Sequence, residues 1–460
     1  MNTSVAILAA GLGTRMRSKR AKVLHRAAGL ALVEHVVGAA RSLAEPDNTI
    51  VVTGHQAADV EALLRPAGVK FVRQEPPRGT GHALECCRAA LENVPGLLMV
   101  LYGDTPLLSA ITLQRLREEQ ERSGAAATLI TTTLDDPSGY GRVIVDALGN
   151  VEAIVEQKDC TDQQRAIQVI NSGIYCFRAD LLWRHLGEVQ PNPISGEYYL
   201  TDMARILREH GHAVRAMHID DPAELLGINT RVELADADRI LRERKTRELM
   251  LSGVTIERPE TVCIDASVSI GTDTVIEPFT RLLGRTRVGE DCRIGAGSIL
   301  ENSDLADRVL VGPYTLIADS RIEAGANIGP FARLRMGAHA EADTRIGNFV
   351  ELKNTRLGAG AKSQHLAYLG DSQIGAGSNI GAGTITCNYD GEKKHATTIG
   401  EGVFVGSNST LVAPVVIGAD SYLAAGSVIT EEVPSGALAV GRGRQVNKPG
   451  WVAKRRGKKS

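Results

Sequence analysis

The sequence is poor in aromatic residues: two Trp, nine Tyr and six Phe make up 4% of 460 residues, against 48 Gly. A core built throughout on large rings is excluded, and small residues must turn many tight corners. Neither sign of charge is in excess. Lys and Arg number 52, Asp and Glu 54, for a net charge of −2, so no global basic field points to nucleic acid. No apolar run is long enough to span a membrane. The seven cysteines (Cys86, Cys87, Cys160, Cys176, Cys263, Cys292, Cys387) are odd in number, scattered and without zinc spacing. That suits a reduced cytoplasm better than a disulfide framework. The apolar start has no basic region before it and runs into a Gly-rich loop, so it reads as a first strand and not as a signal peptide. The expectation is a cytoplasmic protein with no nucleic-acid or membrane partner.

What is present divides into three regions. Hydrophobic content of 43% and charged content of 23% suit a globular chain, and the length is too great for one ordinary core. Residues 1–228 alternate strand patterns (Val5–Ala9, Ile50–Thr53, Leu97–Leu101, Ala127–Thr133, Ile170–Phe177) with helical ones such as Ala31–Leu43 and Ile111–Ser123. Such alternation predicts an α/β, mostly parallel, doubly wound sheet, whose ligands sit beyond the carboxyl ends of its strands. Residues 229–250 lack Gly and Pro and carry few apolar residues, as a helical arm between domains would.

From residue 251 to 460 a six-residue beat takes over. Ile270, Ile276, Leu282, Val288, Ile294 and Leu300 are six apart, and Ile399, Val405, Leu411, Ile417, Leu423 and Ile429 repeat the pattern. Ile322, Ile328, Leu334, Ile346, Leu352, Ile374 and Ile380 fall in phase between them. This period predicts a parallel β-helix with three short strands per coil, aliphatic residues inward and small residues at the corners. A β-sandwich would alternate with period two. The final Lys454-Arg455-Arg456 and Lys458-Lys459 form a basic tail, read as a solvated, disordered end or, alternatively, as a contact for an anionic partner.

Two stretches carry chemistry. In the first region, Leu8-Ala9-Ala10-Gly11-Leu12-Gly13-Thr14-Arg15-Met16 leaves the first strand directly. Its small residues let backbone N–H groups approach phosphates, and Arg15 adds charge. It lacks the G-K-[ST] of a Walker loop and the third glycine of a dinucleotide fingerprint. Taken together with Lys22, the string resembles the signature of sugar-phosphate nucleotidyltransferases. Gln74 with Gly79-Thr80-Gly81-His82-Ala83, then Tyr102-Gly103-Asp104-Thr105-Pro106, then Gly227-Ile228-Asn229 follow in that family's order.

The resemblance implies that Leu8, Ala9, Ala10, Gly11, Gln74, Gly79, Thr80, Tyr102 and Gly103 bind the nucleotide. It implies that Asp104 and Asn229 hold Mg²⁺, a hard cation suited to oxygen ligands. Arg15 and Lys22 would spread the charge of an in-line attack by a sugar-1-phosphate on the α-phosphorus of a nucleoside triphosphate. Gly141, Glu156 and Asn171 match the family's sugar-binding segments. Plain structural readings stand beside these. Asp104 could cap a turn, His82 could be only a hydrogen-bonding residue, and Cys86 and Cys87 could be buried on a helix.

In the repeats, PFARLR (330–335), NFVELKN (348–354), HLAYLGD (365–371) and IGAGTITCNYDG (380–391) stand out, and the last two break the beat. Interruptions of a solenoid are where function tends to sit. With these, residues 3–451 as a whole resemble the bifunctional N-acetylglucosamine-1-phosphate uridylyltransferase/glucosamine-1-phosphate acetyltransferases. That resemblance implies a left-handed β-helix and acetylation of glucosamine-1-phosphate by acetyl-CoA. Transfer of UMP from UTP to N-acetylglucosamine-1-phosphate would follow, giving UDP-N-acetylglucosamine for peptidoglycan and lipopolysaccharide.

The same resemblance makes His365 the base that takes the ammonium proton and Glu351 the residue that orients it. Arg335 and Lys353 would bind the sugar phosphate, with Arg333 as competitor to Arg335, and Tyr368 and Asn379 would assist. Ala382, Asn388, Tyr389, Ser407, Ala425 and Arg442 fall on acetyl-CoA positions, and a homotrimer with sites at subunit interfaces is implied. Plain readings here are a satisfied surface histidine at 365 and a buried small Cys387. Ala21 and Met336 stand where the family usually has proline. A nucleotidyltransferase with a merely structural or effector-binding β-helix is the alternative, and a non-enzymatic assembly subunit is the third reading.

Overall fold

The computed structural model describes residues 2–193 and 195–456; Lys458 and Lys459 of the basic tail lie outside them. The chain divides into two compact units, Met1–Leu241 and Arg242–Ser460.

In the first unit the apolar run at 3–8 becomes the central strand Thr3–Leu8, parallel to both neighbours, Thr49–Thr53 and Leu97–Tyr102. Ala6 and Leu8 enter one core while Val5 and Ile7 enter the other. Alternate residues are therefore buried on opposite faces, as a sheet covered on both sides requires. The sheet continues to Lys70–Arg73 on one side. On the other it runs through Val169–Arg178 and Ala127–Thr133 to Val214–His218. Val169–Arg178 is antiparallel to both its neighbours, and the hairpin Arg142–Val145/Val151–Val155 joins beside it. The expected helices appear as Leu32–Ala40 and Ala110–Ser123. Leu8 lies beside Tyr102 in register, so the chain leaves two adjacent strands at the same edge and delivers the 9–15 loop and Asp104 side by side.

The helix Arg231–Leu251 spans the boundary between the units. Its sparse apolar residues divide accordingly. Leu234, Ala237, Ile240 and Leu241 pack on Ala27, Leu32, Leu107 and Ile228, whereas Leu249 joins the core of the second unit. Thr230 and Glu233 cap its start: the Glu233 amide donates to Thr230 Oγ1 at 3.2 Å, and the Thr230 amide to Glu233 Oε2 at 2.7 Å.

The second unit is a parallel β-helix: three sheets of 11, 10 and 9 strands, each strand two to four residues long. The residues on the six-residue beat are buried from Ile276 to Ile429, and Ile270, at the open first coil, is only partly so. Aromatics are few in this unit, and several stand outside the helix. Tyr314, Phe331 and Phe349 occupy one corner of successive coils, all at positive φ, with rings stacked 5.4 and 5.5 Å apart. The tail departs from expectation: Trp451–Arg456 is a short helix, exposed throughout, rather than a structureless end.

Candidate active sites

At the carboxyl edge of the first sheet lies a cavity of about 510 Å³. Its walls include Leu8, Ala9, Ala10, Gly11, Lys22, Gln74, Gly79, Thr80, Tyr102 and Asp104. Gly13 is required in the loop. It has φ +61°, and a Cβ there would lie 2.6 Å from Lys22 Cβ. A Cβ on Gly11 would meet nothing within 4 Å, which leaves that stretch of backbone open to a ligand. Gly103 packs against Ala9 and Val23 and so sets the strand end that presents Asp104. Gly13→Ala should cost about 1–2 kcal/mol in loop conformation. Steady-state kinetics should then show kcat/KM for nucleotidyl transfer reduced about tenfold, with acetyl transfer unaffected; equal rates would show that the loop tolerates a side chain.

The charged groups converge. Lys22 Nζ forms an ion pair with Asp104 Oδ2 and lies 3.0 Å from Asn229 Oδ1. Arg15 Nη2 donates to the same Asn229 oxygen at 2.8 Å. The Asn229 amide nitrogen is turned away, donating to the Gly227 carbonyl at 3.0 Å, and the backbone N–H of Asn229 is held by Glu233 Oε2 at 2.6 Å. Asp104 and Asn229 thus offer hard oxygens that already share one cationic neighbour. That donor set fits Mg²⁺.

Gln74 is buried. Its Nε2 donates to the Gly79 carbonyl at 2.9 Å and meets His82 Nδ1 at 3.0 Å, so His82 serves to orient Gln74. Gly141, Glu156 and Asn171 lie outside the cavity walls. The Asn171 amide donates to the Gly141 carbonyl at 2.8 Å, and Asn171 Oδ1 accepts from the Tyr175 hydroxyl at 3.1 Å. Gly173, at φ +79°, packs directly on the Tyr102 ring, which ties this segment to the cavity wall. Burial pushes the Glu156 carboxyl up from the ordinary range, against a hydrogen bond from Thr201. Among the wall residues that escaped the sequence reading are Glu197 and Tyr199. They arrive because segment 198–200 is tied to 78–81 by Tyr198 N to Arg78 O, Gly81 N to Tyr198 O and Leu200 N to Thr80 Oγ1, at 2.8–3.0 Å. No local pattern announces that pairing. Of the two cysteines, Cys87 is buried and Cys86 half-buried.

On the β-helix, coil stacking aligns the expected residues. Arg333 pairs with Glu351 and Arg335 with Lys353, while Glu351 pairs in turn with Tyr368. On the adjoining sheet Asn348 pairs with His365 and Lys362 with Asn379. Lys353 is covered, its Nζ 3.0 Å from Asp371 Oδ2. Asp371 also accepts from Asn354 at 2.7 Å and Asn388 at 2.5 Å. Burial pushes the Asp371 carboxyl up, but these bonds and Lys353 outweigh it and hold it below the usual range. The hydrogen bond to Asp371 raises Lys353. Lys394, from the loop that interrupts the beat, comes over Lys353 and is lowered by that neighbouring charge. Arg335, Lys353 and Lys394 thus form a cationic group that the sequence reading gave only in part.

Asp371 gains stability from its lowered value. That contribution is complete above its unfolded value near pH 3.9 and is lost as pH falls through the lower folded one. The Lys353–Asp371 pair is covered yet shallow, so Asp371→Ala should lower stability by about 1–2 kcal/mol. A melting curve at neutral pH reads this directly; no shift in midpoint would mean that the pair contributes nothing.

Glu351 differs from expectation. It accepts from Arg335 Nε at 2.7 Å, with Arg333 Nη1 3.9 Å away, and His365 Nδ1 meets Asn348 Oδ1 at 2.9 Å instead. The reason is register: His365 shares a rung with Asn348, and Glu351 sits on the next sheet, between Arg333 and Tyr368. Both arginines contact Glu351, and Arg335 is the less exposed of the two. Cys387 is exposed and not buried.

Ala382, Ser407 and Ala425 stack at one corner of three successive coils, linked through Asn408 N to Ala382 O at 2.7 Å and Gly426 N to Ser407 O at 2.8 Å. Arg442 Nη1 donates to the Ala425 carbonyl at 2.6 Å. Tyr389 is exposed on the interrupting loop. At the two positions without proline, the Ala21 N–H donates to Gln56 Oε1 at 2.6 Å, a bond proline could not make. Met336 adopts φ +57°, which a proline ring forbids.

Comparison with known proteins gives both units relatives. A MobA-like NTP transferase domain matches residues 5–168. A hexapeptide repeat of bacterial transferases matches 396–431 and a hexapeptide repeat of succinyl-transferases 285–312. The Bifunctional protein GlmU of Solibacter usitatus (strain Ellin6076) is 56% identical over 453 residues, 98% of this chain and 97% of that protein. The protein of the same name from Koribacter versatilis (strain Ellin345) is 48% identical over 456 residues, 98% and 97% of the two chains. That of Trichlorobacter lovleyi is 45% identical over 455 residues, 99% of each. A nucleotidyltransferase-type sheet and a hexapeptide β-helix in two compact units, together with full-length likeness at this level, agree: the chain belongs to the bifunctional GlmU family.

Proposed function

We propose that the two constellations carry, within one chain, the acetylation of glucosamine-1-phosphate and then the uridylylation of its product. The observation that supports this best is their co-occurrence. Asp104, Lys22 and Asn229 converge in the first unit; His365 with Asn348 on one sheet, and the cationic Arg335, Lys353 and Lys394 about the adjoining one, stand on the second.

In acetyl transfer the cationic group holds the sugar phosphate, and Tyr368 and Asn379 hold the sugar. The amine must be neutral to attack. With Asn348 Oδ1 accepting at Nδ1, the proton sits on Nδ1 and the free Nε2 lone pair is the base. The amine nitrogen bonds to the thioester carbonyl, His365 takes the ammonium proton, and the carbon–sulfur bond breaks to release coenzyme A. The corner of Ala382, Ser407 and Ala425, with Asn388, Tyr389 and Arg442, receives acetyl-CoA.

In nucleotidyl transfer the Gly11–Arg15 loop and Lys22 hold the UTP phosphates, and Gln74 with Gly79 and Thr80 reads the base. Gly141, Glu156 and Asn171 hold N-acetylglucosamine-1-phosphate. Its phosphate oxygen bonds to the α-phosphorus while the bond to pyrophosphate breaks. Mg²⁺ on Asp104 and Asn229 would supply charge neutralisation of the phosphates.

The assembly proposed is a cytoplasmic homotrimer. The exposed ladder of Tyr314, Phe331 and Phe349 on the β-helix, with Leu316 and Met336 also exposed, supports a self-association face. Light scattering should give three chains per particle, and a monomer at working concentration would remove this part. The activity test uses purified protein with glucosamine-1-phosphate, acetyl-CoA, UTP and Mg²⁺, with mass spectrometry of the products. UDP-N-acetylglucosamine should form only in the full mixture. If added N-acetylglucosamine-1-phosphate is uridylylated but glucosamine-1-phosphate is never acetylated, the β-helix is structural.

A further inference from the structure

Outside both constellations, the first unit holds a group of histidines that neither reaction uses. The helix Ala179–His185 ends in His185 and turns through Leu186–Glu188. The helix Asp202–Glu209 ends at His210, and Gly211, at φ +79°, leads on to His212. Glu188 stands between the two helix ends. His185 Nδ1 lies 2.7 Å from Glu188 Oε1, and His210 Nε2 lies 2.9 Å from Glu188 Oε2. The His185 and His210 rings are 4.1 Å apart, and the His212 ring is 5.9 Å from that of His185. One carboxylate thus carries an imidazole on each oxygen, and a third imidazole stands beside them.

We propose that His185, Glu188 and His210 form a site for a divalent transition-metal ion of the zinc class. Three observations support it. The donor set is two imidazole nitrogens and one carboxylate, the mixture that borderline ions such as Zn²⁺ select and that Mg²⁺ does not favour. The three ligand atoms lie within 4.8 Å of one another. A tetrahedral ion with bonds of about 2.0–2.2 Å needs its ligands roughly 3.3 Å apart, so side-chain adjustment alone closes the site. Finally, both helices present their carbonyl ends here, where positive charge is favoured. His185 is buried while Glu188 and His210 are half in solvent, which leaves an entry path and room for water or His212 as a fourth ligand. No cysteine is involved, so the absence of zinc-spaced cysteines in the sequence does not bear on this site.

The test uses the full chain, stripped with chelator, and Zn²⁺ as the probe. Uptake is read by competition with a chromophoric chelator in excess Mg²⁺, which saturates the hard-oxygen site. Wild type should take up one equivalent per chain. Glu188→Gln and His210→Gln, both at exposed positions, should bind more weakly by at least about tenfold, the loss seen when even an outer partner of a ligand is removed. Metal-free melting curves of the variants check that the fold is kept. X-ray absorption on the wild-type zinc form gives a readout independent of any variant, and two imidazole ligands, or three if His212 joins, are expected. Equal uptake by wild type and variants, no uptake by wild type, or a zinc shell of oxygen alone or of sulfur would each overturn the site and leave an ordinary hydrogen-bonded His–Glu–His group.

Discussion

Replacing His365 with alanine is expected to slow acetyl transfer by about 10²–10⁴, the usual contribution of a positioned base. Uridylyl transfer should be unchanged. The side chain is exposed and hydrogen-bonds to Asn348 Oδ1, so the fold should be kept and the loss should fall on kcat. Asn348 is a positioning residue on the same reading, since it holds the proton on Nδ1. Asn348→Ala should cost less than His365→Ala and should change the pH profile of acetyl transfer, because the tautomer is no longer dictated. Glu351→Gln should act mainly on KM for the sugar phosphate, since Glu351 holds Arg335 and not His365. A kcat loss at Glu351→Gln equal to that of His365→Ala would return Glu351 to the role of orienting the base. Full acetyl transfer by His365→Ala would remove the β-helix assignment.

The second large effect is expected at Asp104. Asp104→Ala should reduce uridylyl transfer by roughly 10³ or more, because a phosphate-bridging cation contributes several kcal/mol to the developing charge and a tenfold change is about 1.4 kcal/mol. Acetyl transfer should persist, since its residues lie in the other compact unit. Lys22 loses its ion-pair partner in this variant, so nucleotide affinity should also change. Titrating Mg²⁺ separates the two effects. A lost metal ligand raises the Mg²⁺ concentration needed for half-maximal rate, whereas a displaced lysine does not. Equal dependence in wild type and variant would mean that Asp104 acts only as a partner of Lys22.

Much of the scaffold was readable because its signals are local and periodic. The strands at 3–8, 49–53, 97–102 and 127–133 are apolar and bounded by turns. Lys70–Arg73 and Val214–His218 are short edge strands with exposed or charged residues, and no hydrophobic run marked them. In the structure Thr230 and Glu233 form a capping box that also holds the Asn229 amide. Side-chain partners were harder to read. That Glu351 would take Arg335, and His365 would take Asn348, depends on which residues share a rung. A rung joins residues about 17 positions apart, on a face chosen by the corners of each coil. Lys394, Glu197 and Tyr199 reach their places through loops with no periodicity at all.

The sequence by itself determined the α/β region followed by a β-helix, the six-residue coil and the family. All three rest on pattern along the chain: apolar strand runs alternating with helical stretches, period six in the solenoid, and motifs in a fixed order. Tertiary structure alone decided that Lys22 lies between Asp104 and Asn229, 82 and 207 positions away. It alone decided that Asp371 holds Lys353 and that His185, Glu188 and His210 meet at the ends of two helices. Those contacts form when elements distant along the chain pack together, and what selects them is burial and charge pairing in three dimensions, which no local run of residues encodes.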